Sequence, residues 1–238
     1  MKNLLIVSIL LLSVSCAHKE VEENKINQLD KVGVVAVFDE TLPVDLMGSK
    51  NEKTADILAW NLNQNLESEL TQYFQSLNKQ AFAVKVDPTV VETGKVAARG
   101  LKNLYLGNRY QGLEQYLVSE AEKQGAQYLV ILHPTSSENY PQYKAGYGLR
   151  CQNARDELMG YGMMQAQLWN LKTKAVESRT LILPKDLSFK TGKSCSEAAK
   201  LPVNSLAEQY KNQIVNLAKK SAEIAISRTG EATSTTTK

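Results

Sequence analysis

Residues Val32–Phe38 read VGVVAVF, and residues Gln127–Leu132 read QYLVIL. Short, nearly continuous runs of β-branched and aliphatic residues are typical of strands that are buried on both faces of a sheet. Between the two runs, apolar residues recur at three- and four-residue steps, which predicts an amphipathic helix. The residues of this stripe are Ile57, Leu58, Leu62, Leu66, Leu70, Tyr73, Phe74 and Leu77. Strand and helix signals that alternate along one chain predict an α/β domain.

The rest of the chain continues this alternation. Ala81–Val86 predicts another strand, and Leu113–Ala121 has a helical face that ends at Gly125. Met163–Leu171 and Ala175–Leu183 flank the turn sequence KTK, which is the pattern of a strand–turn–strand hairpin. A last helix is predicted from Leu206, Tyr210, Ile214, Leu217, Ala218 and Ile224.

These elements predict one α/β domain over residues 32–228. We expect a single two-layer sandwich, in which three main helices pack on a mixed sheet of about five strands. The spacing of capping boxes predicts two helix starts, at Ser49–Glu52 and Ser205–Glu208. Asp39–Lys50 predicts a loop, and residues 89–108 show no clear period.

The composition fits a folded domain and limits the kinds of partner. The chain has 238 residues, of which 43% are hydrophobic and 22% charged, with a formal net charge of +3. A chain of this length and composition can bury a sizeable core and is not disordered as a whole. Nucleic-acid binding requires a concentrated Lys/Arg face, which so small a net charge does not indicate. We therefore predict no nucleic-acid partner.

The first sixteen residues have the pattern of a secretion signal. A basic residue precedes the apolar run Leu4–Leu12, which is too short for a membrane span of about 20 residues. Ser13 and Ser15 then lead to Cys16. A cysteine directly after small residues resembles the bacterial lipoprotein signal, although Ser13 stands where that family usually has Leu. The resemblance implies that residues 1–15 are removed and that Cys16 is acylated. An ordinary secretory signal with an incidental cysteine stays open.

The residues after the cysteine predict where the protein is located and how its domain is attached. Ala17 rather than Asp follows the cysteine, which in enterobacterial lipoproteins implies the outer membrane. Residues 16–31 are polar and charged without a period, and predict a lipidated flexible tether. Residues 229–238 predict a disordered tail. We expect lipid at Cys16 to hold the domain at the periplasmic face of the outer membrane.

Three stretches resemble a widespread fold of bacterial envelope proteins. They read VAVF at residues 35–38, GAQYLVIL at residues 125–132 and QAQLWNLKTKAVESR at residues 165–179. The pattern is similar to the TolB N-terminal domain, to curli-secretion-channel lipoproteins and to lipoproteins that activate penicillin-binding proteins. Asn170 and Lys174 stand where those relatives commonly have Asp and Gly. The resemblance implies a fold class and a compartment, and it implies no catalytic residue.

Two cysteines remain once Cys16 is assigned to lipid. Cys151 and Cys195 lie 44 residues apart, and an even pair in an oxidising compartment favours a disulfide. Two free thiols and a catalytic thiol are the open alternatives. A catalytic thiol needs a nearby base, for which His133 is the only candidate.

The segment Ser136–Gly162 has no sustained period and is rich in tyrosine and arginine. These side chains are enriched at binding hot spots, and a long loop inside a compact domain is usually functional or disordered. We predict that the segment binds a partner. A solvated insertion is the open alternative, and a pore-forming hairpin is disfavoured because apolar and polar residues do not alternate. The predicted partner-binding residues are Tyr140, Tyr143, Tyr147, Arg150, Arg155 and Tyr161.

A second candidate surface is the basic cluster of Lys95, Arg99, Lys102 and Arg109. It would suit an anionic surface such as lipid headgroups or cell-wall polymer, whereas the alternative is the solvated face of a short helix. The chain has two histidines and no metal-ligand spacing, so we predict no metal and no cofactor.

Together these features predict a lipoprotein that acts as a non-catalytic binding or assembly factor for an envelope protein or complex. Two alternatives from other classes stay open. The first is an oligomeric structural or channel component of a secretion-type assembly, and the second is an enzyme with an unrecognised site. The expected partners are the membrane, through the N-terminal lipid, and an envelope protein, and a homo-oligomer is left open.

Overall fold

The computed structural model describes residues 29–46, 52–100, 111–137, 139–152 and 155–228. The predicted signal peptide, most of the tether and the tail lie outside these residues. The described chain forms nine strands and six helices. The strands are β1 (Lys31–Ala36), β2 (Thr41–Asp45), β3 (Glu52–Asp56), β4 (Gln80–Ala83), β5 (Tyr128–Pro134), β6 (Gly146–Gln152), β7 (Glu157–Asn170), β8 (Ala175–Ile182) and β9 (Ser188–Lys190). The helices are α1 (Leu62–Ser76), α2 (Pro88–Gly100), α3 (Gln111–Lys123), α4 (Cys195–Ala198), α5 (Val203–Gln209) and α6 (Lys211–Arg228).

The long strand β7 organises the sheet. Its second half pairs with β5 and β8, and its first half pairs with β6 and β9. Pro134 at the end of β5 pairs with Met164, and Gly146 at the start of β6 pairs with Met163. Strands β5 and β6 therefore lie end to end along β7. The sheet divides into two half-sheets that share β7, one with β8, β5, β1 and β4 and the other with β9, β6, β2 and β3.

The prediction of about five strands was wrong, because the described residues form nine. Strand β2 lies inside the predicted loop Asp39–Lys50 and contains Pro43, which lowers the local preference for a strand. Strand β6 and the first half of β7 lie inside Ser136–Gly162, which is therefore not one long loop. Glycines weaken the local signal for β6, and its pairing with β7 overrides them.

Helices cover the first half-sheet on both faces, so the two-layer sandwich was also wrong. Alternate residues of β1 enter two separate cores, because successive side chains of a strand point to opposite faces. We call the two sides face A and face B. The core on face A includes Val34, Ala36, Phe38, Leu66 and Leu70 of α1, and Ile214 of α6. The core on face B includes Val35, Val37, Leu113 and Leu117 of α3, with Val91 of α2 packed against it.

Within the described residues, helices cover the second half-sheet on face A only. The helices α4 and α5 contact its strands, and their buried residues Ala198, Leu206 and Ala207 belong to the core of face A. On the other side, a row of half-buried or exposed residues crosses four strands in direct register. This row is Asp45, Arg150, Met159 and Lys190. Among the described residues, this part of face B is therefore open to solvent.

One predicted helix start was wrong, and the chain has a capping box at another place. The prediction at Ser205–Glu208 fails because α5 begins at Val203, directly after Pro202. The capping box forms at the start of α4, where the Glu197 amide donates to the Ser194 hydroxyl oxygen at 3.2 Å. The Ser194 amide donates in return to the Glu197 carboxylate at 2.9 Å.

Two boundaries near the N-terminal end also differ from the prediction. Leu29, which the sequence assigns to the tether, is only 3% exposed and belongs to the core of face A. Glu52, predicted to lie in the first turn of a helix, belongs to β3, while Ser49 lies outside the described residues. The first long helix begins at Leu62 instead.

Candidate binding site

The site is built on face B, at a place where β6 has no side chain. Gly148 of β6 pairs with Tyr161 of β7, and the Tyr161 ring lies over the glycine. A methyl group at position 148 would lie 2.6 Å from Cζ of Tyr161, so only glycine leaves room for the ring. Tyr161 is 2% exposed and forms the floor of the site.

The segment between β5 and β6 crosses this floor. Residues 135–137 and 139–145, which we call the crossing loop, contain two turns, in which the Tyr140 amide donates to Ser137 and the Tyr143 amide donates to Tyr140. The Lys144 amide donates to the Tyr161 hydroxyl at 3.1 Å. These bonds hold the loop on face B of β7.

Three tyrosine rings form a ladder as a result. The Tyr143 ring meets the Tyr161 ring edge-on, with centroids 4.8 Å apart, and the Tyr140 ring lies 6.1 Å from Tyr143. Such pairs contribute about 0.5–1.5 kcal/mol each beyond the burial of area. Tyr140 and Tyr143 are half-buried, so each presents part of its ring to solvent.

Arg150 completes the surface from the neighbouring strand. Its guanidinium carbon lies 5.3 Å from the centroid of the Tyr143 ring, and its Nη1 atom lies 3.7 Å from Oδ2 of Asp45. A cation over a ring contributes about 0.5–1 kcal/mol at exposed sites. The ring and the carboxylate therefore hold the arginine in place while it stays partly accessible. We call Tyr140, Tyr143, Arg150 and Tyr161 together the Tyr–Arg surface.

Two of the predicted partner-binding residues do not belong to this surface. Tyr147 points to face A, is 4% exposed and forms a 2.9 Å hydrogen bond with Ser221. Its burial raises the pKa of its hydroxyl. Its prediction as a contact residue was wrong, because β6 sends residues 147 and 150 to opposite faces. Arg155 is exposed but follows the far end of β6, about 20 Å along the strand from the crossing loop.

The two cysteines are joined beside this site. Cys151 of β6 and Cys195 of α4 form a disulfide with Cα atoms 5.6 Å apart, and both residues are 3% exposed. The bond links the strand that carries Arg150 to the connection after β9.

The basic cluster does not form an accessible surface at Lys95. This residue is 7% exposed, lies 2.8 Å from the Glu92 carboxylate and 3.9 Å from Asp39, and donates to the Phe38 carbonyl. Lys95 therefore stabilises the end of β1. The side chain of Arg99 and residues 101–110, with the other two basic residues, lie outside the described part of the chain.

Face B also holds a buried polar network, which contains none of the predicted partner-binding residues. The Gln167 amide nitrogen donates to Glu114 at 2.7 Å and lies 3.0 Å from Nε2 of His133, and Trp169 donates to the Gln167 oxygen at 2.8 Å. Desolvation lowers the pKa of His133. The four residues come from three elements far apart in sequence, so no local pattern could have found them.

One other buried carboxyl group has a changed acidity. Burial raises the pKa of Glu67 in α1 from 4.5 to about 7, although a hydrogen bond from the Ala36 amide at 2.9 Å opposes the shift. The Asn63 amide oxygen accepts a similar bond from Phe38, at 2.8 Å. Strand β4 pairs with β1 only as far as Val34. Beyond that point, the two side chains accept the hydrogen bonds that a neighbouring strand would otherwise accept, so their role is structural.

The described residues contain no group of three or more His, Cys, Asp or Glu that could hold a metal ion. The part of the chain that the structure describes also has no helix long and apolar enough to cross a membrane. The Tyr–Arg surface offers rings, a guanidinium and hydroxyl groups to a ligand. Fold and site together define an open α/β domain with an exposed aromatic and basic surface.

Comparison with known proteins gives similar structures but no family. No protein-family model and no curated protein match the chain. The lipoprotein GNA1162 from Neisseria meningitidis is similar, with 12% identity and a TM-score of 0.37 over 79% of this chain and 99% of that chain. The LpoB C-terminal domain from Salmonella enterica is similar, with 12% identity and a TM-score of 0.24 over 69% and 93%. Likenesses at these TM-scores indicate no function.

Proposed function

We propose that this chain is a lipid-anchored protein of the bacterial envelope that binds a protein partner through the Tyr–Arg surface and catalyses no reaction. The observation that carries the proposal is the position of the tyrosine ladder. Two half-buried tyrosines and one arginine lie on the open part of face B, held by contacts with each other. Tyrosine and arginine are the side chains that most often dominate the energy of protein interfaces.

The way the surface is held supports a binding role. The crossing loop is flanked by Pro134 and Gly146, which pair with adjacent residues of β7. Tyr143 is fixed by a ring below it and a guanidinium beside it. A surface that is ordered before binding loses less conformational entropy when the partner arrives, which favours affinity.

The lipid anchor is part of the proposal and rests on the sequence around Cys16. Twelve residues separate this cysteine from Leu29, where the described core begins, and a flexible chain of that length spans about 20 Å r.m.s.. An outer-membrane anchor would hold the Tyr–Arg surface close to the periplasmic face of that membrane. The partner would then be an envelope protein within this distance.

Photo-crosslinking in intact cells tests the proposal. The full-length chain is made with a photoreactive amino acid at position 143, and a matched chain carries it at position 73. Tyr73 is also a half-buried tyrosine beside another ring, at 6.0 Å from Phe74, but it lies on α1. We expect a single protein adduct from position 143 and none of the same mass from position 73.

The adduct should also depend on the neighbouring residues of the surface. Arg150→Ala and Tyr140→Ala are each expected to lower its yield, and purified partner should bind the Tyr143→Ala chain about tenfold more weakly, which corresponds to about 1.4 kcal/mol. Equal adducts from positions 143 and 73 would contradict the proposal. An adduct of two copies of this chain would favour the oligomeric alternative.

A further inference from the structure

The crossing loop begins two residues after a buried histidine. Nδ1 of His133 lies 3.0 Å from the carbonyl oxygen of Pro134, and Nε2 lies 3.0 Å from the amide nitrogen of Gln167. A carbonyl can only accept and an amide nitrogen can only donate. This arrangement fits a neutral His133, with its proton on Nδ1 and with Nε2 as an acceptor.

A second proton on Nε2 of His133 conflicts with the hydrogen bond from the Gln167 amide. Protonated Nε2 would face the Gln167 amide nitrogen, so that two donors would meet. Turning the Gln167 side chain would remove this conflict, but its oxygen would then face Glu114 and its nitrogen would face Trp169, whose ring nitrogen is also a donor. Protonation therefore requires the network to rearrange.

The charged groups around His133 come from two neighbouring elements. The Pro134 carbonyl and Glu114 of α3, which lies 3.8 Å away, favour protonation, whereas Arg179 of β8 opposes it. On the same face, beyond the end of β1, Asp39 and Lys95 pair with each other at 3.9 Å. The largest effect is desolvation of the ring, which is 3% exposed, so the pKa of His133 falls below its ordinary value.

The position of His133 connects this network to the Tyr–Arg surface. Pro134, whose carbonyl accepts the histidine proton, makes the last strand pair of β5, with Met164. Thr135 follows and donates to Met163 at 3.4 Å, after which the chain leaves the sheet as the crossing loop. A movement of the His133 ring thus acts on the residue from which the loop starts.

We propose that His133 is an acid-sensitive switch at the start of the crossing loop, whose protonation loosens the loop and weakens the Tyr–Arg surface. This inference rests on the proposed function for its biological consequence, whereas the movement of the loop does not depend on any partner. Because folding favours the neutral ring, the stability contributed by His133 is complete at pH values above its unfolded pKa. It is lost as the pH falls below that value.

Hydrogen exchange on the full mature chain in detergent micelles tests the switch. Between pH 7.5 and pH 5, after correction for the intrinsic pH dependence of amide exchange, exchange in residues 135–145 should rise as His133 is protonated. The expected rise is up to about tenfold for each pKa unit by which folding lowers the pKa of His133. Peptides from α6 should show no such rise. Loop exchange that is unchanged over this range would overturn the proposal.

Two further measurements identify the histidine as the cause. The chain has only two histidines, so His18→Gln leaves one ring signal, whose NMR titration should have its midpoint below about 6.5 and coincide with the change in loop exchange. In His133→Gln or His133→Asn, whichever is better folded at pH 7.5, loop exchange should no longer depend on pH. A titration that does not coincide with loop exchange contradicts the switch. These measurements use no partner, so their failure is distinct from the failure of the crosslinking experiment.

Discussion

At position 148 the side chain is a hydrogen atom, and the ring of Tyr161 occupies the space above it. We expect Gly148→Ala to displace this ring, because the added methyl group would lie 2.6 Å from Cζ. Overpacking of this kind costs about 1–3 kcal/mol. The melting temperature should fall, and the Lys144 amide, which donates to the Tyr161 hydroxyl, should lose protection from hydrogen exchange.

Gly112 provides the matched control for this substitution. It lies near the start of α3, and a methyl group there would meet nothing within 4 Å. Because alanine is favoured over glycine in helices by up to about 1 kcal/mol, Gly112→Ala should leave stability equal or slightly higher. Lys144 should keep its protection in that variant. If the Lys144 amide kept its protection from hydrogen exchange in Gly148→Ala, the position of the Tyr161 ring would not depend on the glycine.

Single residues also show how far the composition of a segment can predict a site. The abundance of tyrosine and arginine directed attention to the segment that holds Tyr143 and Arg150. Composition alone could not show that Arg150 and Tyr147 lie on opposite faces of the sheet, because this depends on the alternation of side chains along β6. Recognition of that strand in the sequence would have placed Tyr147 with the apolar residues Leu149 and Cys151, all of which are buried on face A.

At the scale of elements, the disulfide ties β6 to α4 across 44 residues. A cross-link of this span stabilises a protein by up to about 4 kcal/mol through the entropy of the unfolded chain. Engineered and native bridges often contribute less, so we expect Cys151→Ala/Cys195→Ala to cost about 2 kcal/mol and lower the melting temperature by about 4–8 °C. Thermal unfolding followed by circular dichroism measures this change.

A thiol count tests the bond itself. In a Cys16→Ser background, the unfolded and unreduced protein should have no free thiol, and the reduced protein should have two. Ser196→Ala, one residue from Cys195, is the control for a change in the first turn of α4 and should barely alter the melting temperature. Two thiols without reductant would mean that the bond does not form.

The elements that the sequence predicted are those with a strong period of their own. Strand β5 and helix α1 have continuous or periodic apolar residues, and both were located within a few residues. Strands β2 and β6 contain proline or glycine and form through pairing with neighbours that are distant in sequence. The apolar run of β1 correctly indicated burial on both faces, which by itself argues for helices on both sides of that strand.

At the scale of the whole molecule, the two half-sheets differ in what covers them. Helices close face B of the half-sheet around β1, while the crossing loop is the only described segment that packs on face B near β6. Fold class could be derived from element order, but this difference could not. It depends on where α2 lies, and residues 89–108 gave no clear period from which to place that helix.

The proposed attachment of the molecule to a membrane depends on Cys16, which lies four residues after the apolar run Leu4–Leu12. If its thiol carries lipid, Cys16→Ser should move the protein from the membrane pellet to the soluble periplasmic fraction, because no other segment of the sequence is apolar enough to hold it. Ser15→Ala keeps a small residue before the cysteine and should stay in the pellet. Mass spectrometry of the parent should find an acylated N-terminal cysteine. A Cys16→Ser protein that stays in the pellet, or a parent with an unmodified N-terminus, would refute the anchor, while crosslinking at Tyr143 would still test the binding surface by itself.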